Sequence, residues 1–195
     1  MSGFEFVLVL FAIIVGLGVS SILVGWGEQI RFRHRLEAYP LQIVWAAVIL
    51  LFSMTYLWSL WTFHDLTWTF PLYLLVAAPG LILSLAAHIV RIDTSPDASA
   101  PREQYFRASG PIFLLLALIP LTLIAMSFVP QLRASSPNPP NLPAITGFRA
   151  TLSIGLASLA WSKSERAHWV GAGLLLLTVL VLSARITVRM IQGAA

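Results

Sequence analysis

The chain has 195 residues, of which 58% are hydrophobic and only 10% are charged, whereas soluble proteins contain about 25% charged residues. It has a formal net charge of +4 and no cysteine, which excludes disulfides, a thiolate nucleophile and a cysteine-ligated metal site. Because the basic residues are divided among several loops, their placement favours membrane topology over a nucleic-acid-binding face.

Six apolar stretches, each of roughly 18 to 23 residues, fill most of the chain. A helix of about 20 residues crosses a hydrocarbon core of about 30 Å. Backbone N–H and C=O groups in lipid must be satisfied within their own segment, so each stretch is predicted to be a helix. The prediction is an all-α polytopic membrane protein in which residues 1–195 form a single bundle of six transmembrane helices, with spans near residues 4–26, 41–62, 70–90, 111–129, 144–161 and 169–191.

Span one is rich in small residues, among them Gly16, Gly18, Ser21 and Gly25. Gly16 and Ser20 are four residues apart, as are Ser21 and Gly25, and this spacing lets another helix backbone approach closely. Glycine-rich runs also occur in phosphate-binding loops, but this one has no lysine and no preceding strand. We therefore predict that these small residues form a helix-packing face.

Four prolines lie at or just before the start of a predicted span, where the missing N–H favours helix initiation: Pro40, Pro71, Pro111 and Pro143. Pro79 and Pro120 instead fall inside spans three and four, roughly 13 Å from the start of each. Both are predicted to kink their helices near the membrane midplane. The loop from Pro130 to Pro143 contains five prolines and is predicted to be extended and stiff.

Lys and Arg residues are distributed unevenly between the two sides of the predicted bundle. Eight lie in loops one, three and five, and four lie on the other side. Because cytoplasmic loops carry an excess of Lys and Arg, these three loops are predicted to be cytoplasmic and both termini outside. In general texture the chain resembles multi-span bacterial inner-membrane proteins, so we expect that location; no motif assigns it to a family.

Ionisable residues near the cytoplasmic ends of spans one and three form a candidate inner polar cluster: Glu28, Arg31, His88 and Arg91. His88 and Glu28 could form a proton or metal site, because ionisable residues in a membrane are functional candidates. One imidazole and one carboxylate are too few for a metal prediction. His88 also lacks the second intramembrane histidine that bis-histidine haem ligation needs, so we predict no metal and no cofactor. The alternative is a hydrogen-bonded interfacial histidine.

Three arginines lie toward the predicted outer face, namely Arg149, Arg185 and Arg189. Arg185 and Arg189 share one helical face at i, i+4 spacing, and with Arg149 they could attract an anion to an outer vestibule. Alternatively, all three side chains extend to the lipid headgroups and contact phosphate. For a chain with six predicted spans, membrane lipids are predicted partners whichever role these arginines have.

The middle third of the six spans contains no Asp, Glu, Lys, Arg or His, although ion-coupled carriers place such groups at depth. No serine lies in a GxSxG-type turn, so the sequence disfavours an enzyme. The favoured function is a non-catalytic membrane component, that is, a subunit, assembly partner or sensor that contacts other membrane proteins or a second copy of itself. The alternative is a channel or facilitator for a small neutral or anionic solute that uses the kinked spans three and four, followed by an intramembrane or lipid-modifying enzyme.

Overall fold

The computed structural model describes residues 3–31, 39–91, 100–134 and 141–193, and the side chains of Ala134 and of residues 185–193 are not part of that description. The described chain consists of helices: α1 (Gly3–Arg31), α2 (Pro40–Ser59) continued by the 3₁₀ turn Leu60–Phe63, α3 (Phe70–Ile89), α4 (Pro101–Ser127), α5 (Pro130–Ala134), α6 (Leu142–Trp161) and α7 (Glu165–Gly193). All but α5 are long and apolar enough to cross a membrane. The predicted all-α membrane bundle of six spanning helices is therefore confirmed.

The order of the helices defines two ends of the bundle. Helices α1, α3 and α6 finish at the end where α2, α4 and α7 begin. This end carries loops one, three and five, and we call it the basic end. The opposite end carries the short helix α5, and we call it the far end. That the basic end faces the cytoplasm stays a prediction.

Two expectations about the bounds of elements were wrong. Helix α4 begins at Pro101 rather than near Pro111, which lies inside it. Apolarity marks only the part of a helix that lies in lipid, whereas Pro101 at the first helical position starts the helix within a polar segment. The segment Pro130–Ala134 is a short helix and not an extended loop, because Pro130 also takes a first helical position. Residues 135–140 of that loop lie outside the described residues.

Helix α1 packs on α3 along a narrow seam. Its buried residues recur at intervals of three and four: Phe4, Val7, Phe11, Val15, Gly18, Ile22 and Gly25. A Cβ on Gly18 would lie 2.7 Å from the Ser84 Cα, closer than atoms pack, and one on Gly25 would lie 3.2 Å from the Arg91 Cγ. A Cβ on Gly16 would meet nothing within 4 Å, and Ser21 is half-buried. The close approach therefore occurs at Gly18 and Gly25.

Candidate functional site

Helices α3 and α4 pack against each other, and each contains a buried proline in its interior, Pro79 and Pro120 respectively. A proline has no N–H to donate to the carbonyl four residues earlier, so each helix lacks one bond of its backbone ladder. Gly80 follows Pro79, and a Cβ there would lie 2.8 Å from the Tyr56 Cε1. The ring of Tyr56, from α2, therefore packs directly on the proline-containing turn of α3.

At both prolines, a hydroxyl group from another helix binds the carbonyl three residues earlier. The Tyr56 hydroxyl donates to the Val76 carbonyl at 2.5 Å, and Ser153 Oγ, from α6, donates to the Ala117 carbonyl at 2.7 Å. Carbonyls in an irregular turn within lipid need partners, and side chains of neighbouring helices can supply them. The two irregular turns thus serve as attachment points for α2 and α6.

A cavity of about 190 Å³ lies at the far end of the bundle. Its walls come from the far-end halves of α3 and α4, from α2 with its 3₁₀ turn, and from α5: Tyr56, Ser59, Thr62, Phe63, Val76, Leu123, Met126 and Leu132. Apolar cavities of about 150 Å³ bind benzene. The volume between the two proline-containing helices therefore suits a ligand of about that size.

All eight lining residues are uncharged, which favours a neutral ligand. Two of the three hydroxyl groups among them already donate within the protein: that of Tyr56 to Val76, and Ser59 Oγ to the Tyr56 carbonyl at 2.7 Å. Toward the basic end, α3 and α4 contribute the fully buried side chains Leu83, Phe113 and Leu116. These three side chains belong to the apolar core of the bundle on that side of the prolines.

Of the three arginines predicted to lie at the outer face, the structure describes the contacts of Arg149. Its Nη1 donates to the Leu123 carbonyl and to Ser127 Oγ, both in α4. The half-buried guanidinium therefore links α6 to α4 behind a residue that lines the cavity. The backbone of Arg185 and Arg189 continues α7, but their side chains lie outside the described part, so their predicted anion or lipid contacts stay predictions.

The predicted inner polar cluster is brought together in part. Glu28 Oε1 accepts a hydrogen bond from Arg91 Nη2 at 2.6 Å, which links the ends of α1 and α3. His88 is exposed, and its Nδ1 lies 2.7 Å from the Ser84 carbonyl of its own helix. Arg31 is exposed at the last residue of α1. Across the described residues, no group of three or more His, Cys, Asp or Glu side chains could hold a metal ion.

A buried histidine, which the sequence analysis missed, lies at the basic end. His168 is fully buried, with its Nδ1 2.7 Å from the Tyr105 hydroxyl and its Nε2 3.1 Å from the Ser162 carbonyl. A carbonyl only accepts, so we assign the proton of the neutral ring to Nε2, and Nδ1 accepts from Tyr105. Phe106 and Phe113 enclose the ring with centroids at 5.5 and 4.9 Å.

His168 lies in the first turn of α7, so the expectation that His88 has no second intramembrane histidine as a partner stays a prediction. Both ring nitrogens of His168 are occupied, and His88 is exposed on another helix, so the two do not form a ligand pair. A pattern in the sequence could have revealed the buried position. His168, Ala172, Leu175 and Val179 recur at intervals of three and four, and all are buried in the seam of α7.

An ion pair lies beside this histidine at the same end of the bundle. Arg102 Nε donates to Glu165 Oε1 at 2.6 Å, joining the first turns of α4 and α7. The ring of Tyr39, just before α2, contacts that of Tyr105 in a tilted arrangement, with the ring centroids 5.3 Å apart. Burial, together with the neighbouring Glu165 carboxylate, raises the pKa of the Tyr39 phenol above its ordinary value. Tyr39 is therefore neutral at physiological pH.

Comparison of the chain with protein-family models, with curated proteins and with solved structures finds no match.

Proposed function

We propose that this integral membrane protein is a non-catalytic component of the membrane, acting as a subunit, assembly partner or sensor. The observation that carries the proposal is the role of its buried polar side chains. In the described bundle, five hydrogen bonds of such side chains connect one helix to another: Tyr56 to Val76, Ser153 to Ala117, Gln42 to Val90, Tyr105 to His168 and Thr55 to Ser183. The buried Ser53 and Ser109 instead donate to carbonyls of their own helices. A catalytic group must instead reach a substrate.

Helix α6 is the best candidate for contact with a partner protein. Its apolar stretch has the lowest mean hydropathy of the six spanning helices, and only 17% of that stretch is buried, against 22% in α7 and 33–44% in α1 to α4. A helix that faces lipid on most sides is expected to be strongly apolar. A membrane-spanning helix of another subunit, packed on the exposed side of α6, would cover its less apolar residues and separate them from lipid.

The absence of cysteine from the chain allows a direct test with single-cysteine variants. Ile154 in α6 and Leu85 in α3 are both exposed apolar residues, so Ile154→Cys and Leu85→Cys form a matched pair. Each is labelled in native membranes with a photoactivatable maleimide and illuminated. We expect a discrete protein adduct from position 154 and lipid adducts alone from position 85. Lipid adducts alone from both positions would contradict a partner on α6.

A second candidate function is a facilitator for a small neutral solute, favoured by the cavity between α3 and α4. Purified protein in liposomes would then raise solute flux above that of empty liposomes. Met126→Trp, which fills the cavity, should lower this flux several-fold, whereas Leu118→Trp on the exposed face of α4 should not. Flux equal to that of empty liposomes would leave the non-catalytic function as the better account.

A further inference from the structure

A second, much smaller cavity lies at the basic end, between α1, α2 and the end of α3. Its volume is about 10 Å³, and its walls include Trp26, Gln42, Val90 and Arg91. A cavity needs at least about 10–15 Å³ to hold a single water molecule, so this one is just large enough. The hydrogen-bonding groups in its walls determine which molecule of that size it binds.

Gln42 presents an unpaired hydrogen-bond acceptor in this wall. The residue is only 3% exposed, and its Nε2 donates to the Val90 carbonyl at 2.8 Å. Because a carbonyl cannot donate, the amide nitrogen must face Val90, and the orientation of the amide group is fixed. Its Oε1 is buried with no hydrogen-bond partner among the described residues.

Trp26 presents an unpaired donor in the same wall. Its indole Nε1 is also buried without a hydrogen-bond partner in the described part of the chain. An indole N–H can donate but cannot accept. A buried polar group without a partner is rare and destabilising, and here two such groups of opposite character belong to residues that line one cavity.

We propose that this cavity binds one water molecule, which accepts a hydrogen bond from the Trp26 indole and donates one to Gln42 Oε1. A cation would face the Trp26 N–H and the positively charged Arg91, an anion would face the Gln42 oxygen, and an apolar guest would leave both groups unpaired. Water both accepts and donates, so it satisfies the two groups together. The bound water joins α1 to α2 beside the Gln42–Val90 contact with α3.

The direct test is an experimental structure of the full chain at a resolution that shows ordered water. The expected result is a single density peak about 2.7–3.2 Å from both Gln42 Oε1 and Trp26 Nε1. If the same structure shows other buried waters but no peak in this cavity, the proposal is overturned. A peak with several oxygen ligands at about 2.3–2.6 Å, the distances of a bound cation, would also overturn it.

An independent test uses Trp26→Phe with Trp68→Phe as its matched control. Trp68 is also half-buried with an unpartnered, buried Nε1, but it does not line this cavity. Trp26→Phe should lower the Tm by about 2–4 °C more than the control does, because it removes a bond to the water. Combining Trp26→Phe with Gln42→Leu should give less than the sum of the two Tm shifts. Equal shifts for the two tryptophan variants, or additive shifts in the double variant, would refute the bridging water.

Discussion

At the scale of single residues, the α1 seam shows that two glycines close together in the sequence can have different packing environments. Gly16 and Gly18 both belong to the small-residue run that predicts helix packing, yet only Gly18 has another backbone against it. A sequence gives the presence of small residues, but the rotation of the helix that selects one of them depends on the partner helix. The packing face could therefore be predicted for α1 as a whole but not for each glycine.

The pair Gly16 and Gly18 provides a first prediction. Gly18→Leu should destabilise the protein by about 1–3 kcal/mol or more, because it places a large side chain where the backbone of Ser84 lies 2.7 Å from a Cβ position. Gly16→Leu should have little effect, since its Cβ meets open space. Thermal unfolding in one detergent compares the two variants. Equal melting profiles would show that α1 does not pack on α3 at Gly18.

A second prediction concerns the buried pair Tyr105 and His168. Tyr105→Phe removes the hydroxyl and leaves His168 Nδ1 buried without a partner, which should cost about 1–3 kcal/mol. Tyr73→Phe is the control. Tyr73 is half-buried, and its ring stacks on Phe11, a contact that the phenylalanine variant keeps. Thermal unfolding measures both variants. If Tyr105→Phe were as stable as Tyr73→Phe, the hydroxyl would contribute nothing to the bundle.

At the scale of elements, the features that a sequence predicted well are local. A run of apolar residues produces a spanning helix, and a proline such as Pro79 or Pro120 removes one backbone hydrogen bond from its own helix wherever that helix packs. Both helices continue through these prolines, and the predicted kinks stay predictions. The contacts between elements were not predicted, because they join distant parts of the chain. Tyr105 and His168 are 63 residues apart, and Gln42 and Val90 are 48 apart. No local pattern indicates which pair of helices will bring such side chains together.

Two serines of α6 provide a prediction at this scale. Ser153→Ala should destabilise the bundle by about 1–3 kcal/mol, because it leaves the Ala117 carbonyl, one turn before Pro120, without its hydroxyl donor. Ser158→Ala should be nearly neutral, since the exposed Ser158 bonds only to Gly155 of its own helix. Unfolding curves of the two variants decide the matter. An equal loss of stability would mean that the contact between α6 and α4 does not depend on this hydroxyl.

At the scale of the whole molecule, the orientation in the membrane is a separate question from the fold. The same bundle of helices could be inserted either way, and the balance of Lys and Arg between loops is the physical basis for choosing. The basic end also contains the ion pairs Glu28–Arg91 and Arg102–Glu165. We expect this charged end to lie at the cytoplasmic surface.

Reporter fusions test that orientation. A fusion after Ala195 should report an outside location, and an insertion between Asp93 and Ala100 should report a cytoplasmic one. The physical reason is the excess of Lys and Arg in loops one, three and five. The reverse pair of signals would place the basic end outside and would move the 190 Å³ cavity to the cytoplasmic side.

The two cavities differ greatly in volume between the ends of the bundle, and this difference has a mechanical consequence. At the basic end, ion pairs and the Tyr105–His168 hydrogen bond link neighbouring helices, whereas the far end surrounds the cavity of about 190 Å³. Side chains that line a cavity pack against fewer protein atoms than core side chains do, so the far end should deform under lateral pressure more readily than the basic end. Thinning or stretching of the bilayer, which changes helix tilt, would then be taken up mainly in one leaflet.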